Sequence, residues 1–178
     1  MKKDLFPTAT PESMGISSKS IIKFLKKLEE NGTMVHSVLM MRRGHVVTEG
    51  YYAPFTQNGL HRMYSSSKSF VGTAIGFLID EGCITLDDNV CDYFQDKLSE
   101  NPHPYILDMR IRDLLMMATP HNSTTYRRDD KDWAWTFFNT EPSHPAGTVY
   151  SYDTSASYVL GVLVERITGK TFLEYLKD

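Results

Sequence analysis

Apolar positions along this chain recur with two different spacings, and each spacing predicts an element. In SKSIIKFLKKLEE, residues 18–30, Ile21, Phe24, Leu25 and Leu28 recur three and four apart, with Lys23, Lys26, Lys27 and Glu30 on the other side. That is the period of a helix with one apolar face. Ser17 stands at its N-cap position, and Asn31-Gly32 supply the stop. Residues 1–16 read as an extended arm ahead of it. Two runs rich in β-formers follow, MVHSVLMMRRG and HVVTEGYYAPF, with a turn at Arg43-Gly44-His45, so the spacing predicts a hairpin.

The helical period then returns. A helix is predicted from the serines at 65–67 to about Asp80, with Gly82 at its C′ position. Its apolar run is Phe70, Val71, Ala74, Ile75, Phe77, Leu78 and Ile79, which predicts a buried element. ITLDDNVCDYFQDKL reads as a turn and a short helix capped by Asp87 or Asp88, and MRIRDLLMMATP as a short helix stopped before Pro120. Residues 121–147 are polar and aromatic, with one helical piece at DWAWTFFNT. TSASYVLGVLVERITG predicts an amphipathic helix closed by Gly169, and Thr171 with Glu174 forms a capping box for TFLEYLKD.

Only two clear strands emerge, both ahead of the helices, which makes the chain α+β. A lone hairpin is marginal and cannot cover so much helix. Either the protein is mostly helical, or strands that complete its sheet lie outside these residues. Leu176-Lys177-Asp178 sit inside a predicted helix with no stop signal.

Composition narrows the function. With 178 residues, 41% hydrophobic and 23% charged, and no repeat, the chain is globular. It is long enough to bury roughly 70% of its unfolded surface. A net charge of −3 without a basic stripe argues against a nucleic-acid partner. Asp4, Pro7 and Pro11 interrupt any signal-like run after Lys2 and Lys3, and no stretch is apolar enough for a membrane span. The expectation is a soluble cytoplasmic protein. Cys83 and Cys91 read as reduced, partly buried thiols, and the six histidines lack ligand spacing, so neither a metal nor another cofactor is expected.

Chemistry enters at HRMYSSSKSFVG. Ser65 and Lys68 are three apart, which stacks them one turn apart on a helix face. A serine hydroxyl needs a neighbouring base to become a nucleophile. A lysine can be that base when burial or nearby positive charge lowers its pKa. The amino end of a helix also offers N–H groups to an oxyanion. Serines also favour helix starts, and Ser-x-x-Lys arises by chance, so the motif alone leaves both readings open. Ser66 and Ser67 lack a lysine at plus three. Trp133, Trp135, Phe137 and Phe138 can equally line a substrate cleft or pack the interior.

The second half of the chain carries a more specific pattern. Ala146-Gly147-Thr148, Tyr150-Ser151-Tyr152, Asp153-Thr154, then Leu160-Gly161 through Glu165, Thr168 and Gly169 follow in order. With PESMGIS, SVLMMRRGHVVTEGYY, LIDEGCITLDDNVCDYF and IRDLLMMATP before them, the chain resembles the serine β-lactamase and penicillin-binding-protein superfamily. The branch is that of class C β-lactamases and related esterases. The resemblance implies a β-lactamase/transpeptidase-like fold whose later strands are missing, as one partial domain: residues 1–60 the helix and hairpin, 61–178 the helical lobe.

It also implies roles. Ser65 would be acylated, Lys68 would accept its proton, and Tyr152 would be the phenol that passes protons to the leaving group and from water. Tyr150 is the rival phenol, but Tyr152 stands two residues before a small polar residue, as the motif requires. Thr154 stands where many members have Asn, and Ala146 where Pro is usual. The third motif, Lys-Thr-Gly or His-x-Gly, is absent; Lys170-Thr171-Phe172 lacks its glycine. The substrate implied is a small ester or amide. The alternative is an incomplete or non-catalytic ligand-binding module that needs another chain or the missing C-terminal part. An exposed sheet edge would favour self-association or a complementing chain.

Overall fold

The computed structural model describes residues 6–177, so the predicted arm at residues 1–5 lies outside the described residues. The chain divides into two compact units, Met1–Arg62 and Met63–Asp178.

In the first unit, helix α1 (Ser18–Glu30) follows a short 3-10 turn at Glu12–Met14. The arm is therefore not wholly extended. Ser17 precedes α1 in extended backbone but makes no side-chain cap; the Glu12 carboxylate accepts from the Ser18 amide at 2.7 Å instead. That carboxylate is held below its usual pKa by the Ser18 contacts. Ile21 is buried and Leu25 and Leu28 are half-buried, whereas Phe24 is exposed, so the apolar stripe is narrower than its spacing predicts.

Strands β1 (Ser37–Arg42) and β2 (His45–Tyr51) pair antiparallel. Arg42 faces His45, so the turn is the two residues Arg43-Gly44, both with positive φ (51° and 76°). Two left-handed residues match the twist of a tight hairpin, and glycine takes the second without a Cβ penalty. His45 already belongs to the strand. The register slips between Met40 and Met41, a bulge that leaves Val47 without a partner across the ladder. The segment at Pro7–Ala9 runs beside β2: Val46 N–H donates to Pro7 O and Ala9 N–H to Val46 O. Among the described residues, the outer edge of β1 has no strand partner.

The second unit holds the helical core. Helix α2 (Ser67–Asp80) is preceded by a 3-10 turn at Tyr64–Ser66 and ends with Gly82 at φ 73°. Then come α3 (Pro104–Leu107), α4 (Ile111–Leu115), α5 (Trp133–Asn139), α6 (Thr154–Thr168) and α7 (Phe172–Lys177). α6 is the hub, packing on α2, α4, α5 and α7. Its Ala156, Val159, Leu160, Leu163 and Val164 join Ala74, Ile75 and Leu78 of α2 and Phe137 and Phe138 of α5 in one buried cluster. Each such side chain contributes about 1.5–3 kcal/mol by leaving water.

The α2 face is narrower than predicted. Phe70 and Phe77, seven residues apart, stay 50% and 47% exposed on the stripe that flanks Ala74 and Leu78. Neither Asp87 nor Asp88 caps the helical turn at Val90–Tyr93; Asn89 does, accepting from the Cys91 amide at 2.8 Å. Asp88 instead accepts from the Thr85 amide and Tyr93 Oη, and Asp87 pairs with Arg110 and Arg112. α3 was not predicted: Pro104 sits at its start and His103 Nδ1 caps it. Cys83 is exposed rather than partly buried, while Cys91 is buried and its thiol is pushed up to about 12, chiefly by desolvation. The Thr171–Glu174 capping box forms as predicted, with Thr171 N–H donating to Glu174 Oε2 at 2.9 Å.

Candidate active site

Three of the predicted residues meet on the second unit. The tight turn at Tyr64–Ser66 delivers Ser65 to the amino end of α2, and Lys68 follows in the first helical turn. The three-residue spacing then acts as geometry requires: Lys68 Nζ donates to Ser65 Oγ at 3.2 Å. From a distant stretch of chain, Tyr152 Oη reaches the same oxygen at 2.7 Å. Lys68 Nζ also lies 5.1 Å from the centre of the Tyr152 ring, within reach of a cation–π attraction.

The Tyr152 phenol is held below its ordinary value of 10.0, first by the hydrogen bond to Ser65, then by Lys68. Both interactions favour the phenolate, and desolvation opposes them. Tyr152 is half exposed, so water screens the lysine's field. The proton between Oη and Oγ can sit on either oxygen. When Tyr152 is the phenolate, Ser65 becomes the donor and its oxygen gains nucleophilic character. Tyr150, the rival phenol, stands 70% exposed two residues earlier.

Tyr152 is aimed by its neighbours. Ser151 N–H donates to Met117 O at 2.9 Å, and Ser151 Oγ donates to Asn122 O. The Thr154 amide donates to Thr124 Oγ1 at 3.0 Å. Asp153 is fully buried: its carboxylate caps α6 by accepting from the Ser155 amide at 2.8 Å, and also accepts from Ser155 Oγ and, at 3.0 Å, from Thr119 Oγ1. Gly147 lets the approach to this segment close up. Its φ is 77°, and a Cβ there would meet Asp113 Oδ1 at 3.0 Å. Asp153 and Thr119 both stand in the family-like stretches of the sequence, without a role of their own there. The signal for Asp153 was present, an Asp directly ahead of a helical period; the signal for Thr119 was not, because its partner is far along the chain.

The remaining predicted residues sit differently. Thr154 is the first residue of α6. Trp133 stacks on Tyr126 at 4.0 Å and meets Tyr158 edge-on at 5.2 Å, forming an aromatic cluster. Trp135 is exposed, and Phe137 and Phe138 are core residues rather than cleft walls.

His121, three residues before Thr124, is buried against the edge of Phe137, and neither ring nitrogen has a hydrogen-bond partner. Desolvation lowers its pKa from 6.5, against the opposing pull of Asp153. The unfolded chain therefore binds the proton more readily. The neutral ring's contribution to stability is complete above about pH 6.5 and is lost as pH falls below it, at up to about 1.4 kcal/mol per pH unit. Urea unfolding at pH 7 and pH 5.5 is expected to show this loss, and His121→Leu to flatten it. An equal loss in both proteins would refute the assignment.

The chain is similar to known proteins. Residues 24–178 match the beta-lactamase family. The 6-aminohexanoate-dimer hydrolase of Paenarthrobacter ureafaciens is 32% identical, over 94% of this chain and 47% of that protein. Among solved structures, a class C beta-lactamase is similar with a TM-score of 0.72 and 18% identity, covering 88% of this chain and 47% of the other. The D-amino acid amidase of Ochrobactrum anthropi SV3 is similar at 0.63 and 19%, covering 84% and 48%. Such identities show a shared fold, here the amino-terminal portion of a β-lactamase/transpeptidase-like fold. The chain spans about half the length of the relatives it matches. Among the described residues, no helix is long and apolar enough to cross a membrane.

Proposed function

The chain belongs to the beta-lactamase family, and from that premise we propose that it is a serine hydrolase that opens small esters or amides through an acyl-enzyme on Ser65. The observation that carries the reading is the convergence of Lys68 Nζ and Tyr152 Oη on Ser65 Oγ, at 3.2 and 2.7 Å. Tyr152, as phenolate, takes the Ser65 proton while Oγ attacks the substrate carbonyl, in place of Lys68, which the resemblance makes the acceptor but which here donates to Oγ. Lys68 favours the phenolate by its charge. The proton then passes from Tyr152 to the leaving alcohol or amine, the acyl carbon keeping its bond to Ser65 Oγ. Water, deprotonated by the same phenolate, cleaves that ester and regenerates the serine. An amide substrate is favoured by the likeness to a 6-aminohexanoate-dimer hydrolase, since two amino acids condense through an amide. Thr154, at the amino end of α6, and Trp133 and Trp135 on α5 are the proposed substrate-binding residues.

Incubation with a fluorophosphonate or a fluorescent penicillin, followed by intact mass, tests the reading. One adduct is expected on the native chain and none on Ser65→Ala. A folded native chain that takes no adduct would refute it.

A second reading has its own support: the chain spans about half of its relatives and lacks the third motif. In that reading the site becomes competent only with a complementing chain or a second copy. Sedimentation should then reveal dimers or larger species, and a stable monomer at high concentration counts against it.

A further inference from the structure

We propose that Met117 is a positioning residue of this site: its left-handed backbone turns a carbonyl onto the Ser151 amide and so holds the neighbouring Tyr152 on Ser65. The inference rests on the reading of Tyr152 as the base for Ser65. Met117 has φ 54° and stands just past α4, separated from Leu115 by Met116. Ala118 N–H donates to Asp113 O at 2.8 Å, and Met117 N–H to Leu114 O at 3.2 Å. That pair of bonds closes a helix around a left-handed residue, ordinarily glycine. A methionine there carries a Cβ penalty that glycine would not. In the second unit, the other described non-glycine residue with positive φ is Tyr64, directly before Ser65. Backbone strain of this kind persists where the surroundings impose it, and it clusters at functional sites. Here each strained residue adjoins a segment that delivers one of the two bonded oxygens.

The hydrogen bonds show what the turn accomplishes. Four consecutive carbonyls leave it toward the segment at 143–151. Met117 O accepts from Ser151 N–H at 2.9 Å, Ala118 O from Gly147 N–H at 2.8 Å, Thr119 O from His144 Nε2 at 3.0 Å and Pro120 O from Ser143 N–H at 2.9 Å. The last three tie down the approach at 143–147. Val149 and Tyr150 then face solvent. Met117 O takes the chain up again at Ser151, one residue ahead of the phenol. A right-handed Met117 would continue α4 as helix and carry these carbonyls elsewhere. Its strained conformation therefore bears directly on where Tyr152 Oη sits, 2.7 Å from Ser65 Oγ.

The experiment compares Met117→Gly, Met117→Asn and Met117→Val in the full chain. Glycine and asparagine accept a left-handed backbone, whereas β-branched valine resists it. Two quantities are read: the rate at which a fluorophosphonate labels Ser65, and the titration of Tyr152, followed by NMR of ring-labelled tyrosine and assigned with Tyr152→Phe. Met117→Val is expected to label at least about tenfold more slowly, because a small misplacement of a reacting group costs rate steeply. Its Tyr152 titration should move up toward 10.0 as the phenol leaves Ser65 and Lys68. Met117→Gly and Met117→Asn are expected to keep both native values. A Met117→Val protein that melts earlier yet labels and titrates as the native chain overturns the proposal, because the turn would then only hold the fold. Equal slowing in all three variants also overturns it, because the backbone conformation would then not be what matters. If Met117→Val does not fold, a chain with an ester in place of the Ser151 amide decides, since it deletes that N–H alone. Slower labelling with a raised titration supports the tether, and native values overturn it. The titration also separates the two claims. Absence of label on the native chain refutes only the acyl-enzyme reading, whereas a raised Tyr152 titration in Met117→Val still supports the tether.

Discussion

Tyr152→Phe is expected to slow acylation of Ser65 by about a hundredfold or more, and Lys68→Ala by a similar factor. The change to phenylalanine removes one oxygen. The ring stays half exposed and carries little of the core, so the thermal midpoint should hold. What disappears is the acceptor 2.7 Å from Ser65 Oγ, leaving only the Lys68 donor at 3.2 Å. A cation that donates to the oxygen cannot take its proton. Lys68→Ala fails differently. The phenol loses the neighbouring charge that favours its ionised form, so its pKa should move back toward 10.0. In the native chain the acylation rate should rise with pH through a phenol pKa lying below that value. The same limb should move to higher pH in Lys68→Ala and vanish in Tyr152→Phe. Quenched-flow labelling with a fluorophosphonate across pH 6–10 reads all three. Full-rate labelling in either variant removes that residue from the mechanism.

Much of this was legible in the sequence because the periods are local. The α6 pattern gave the helix, its Gly169 stop and its apolar face, and the Thr171–Glu174 box formed atom for atom. Ser65 and Lys68 meet because a helix turn fixes residues three apart. The meeting with Tyr152 is of another kind. It spans 87 residues and follows from how α6 packs on α2, which no local period encodes; family resemblance supplied it. What stayed hidden depends on burial. The spacing of Phe70 and Phe77 looks like core spacing, yet both stay half exposed, because they flank the buried stripe of Ala74, Ile75 and Leu78 and do not lie on it. Asp87 and Asp88 looked like caps, but long-range pairing with Arg110 and Arg112 and local bonds to Thr85 and Tyr93 claimed them. α3 has four residues, too few for a period to show.

Asp153→Ala should destabilise the chain by about 3–5 kcal/mol, a large share of the roughly 5–15 kcal/mol that holds a domain folded. Asp153 is fully buried and gathers three donors: the Ser155 amide, Ser155 Oγ and Thr119 Oγ1. Alanine leaves all three without an acceptor in a dry site, at about 1–3 kcal/mol for each unmet group, and removes the α6 cap, worth about 0.5–2 kcal/mol. These losses overlap, because one donor is also the capped amide. The hydroxyl of Ser155 is itself an acceptor for the Thr125 amide at 3.1 Å, so the loss travels into the loop at 119–125. Asp153→Asn keeps one carbonyl oxygen for the Ser155 amide and should cost only about 1–2 kcal/mol. Urea unfolding distinguishes them. Tyr152 is the next residue back along the chain, and its aim depends on the start of α6 staying wound. Labelling of Ser65 should therefore slow in Asp153→Ala even where the protein is still folded, and recover partly in Asp153→Asn. An unfolding midpoint equal to the native chain in Asp153→Ala would mean that water, not the carboxylate, satisfies those donors, and that the phenol is held by the Ser151 and Thr154 contacts alone.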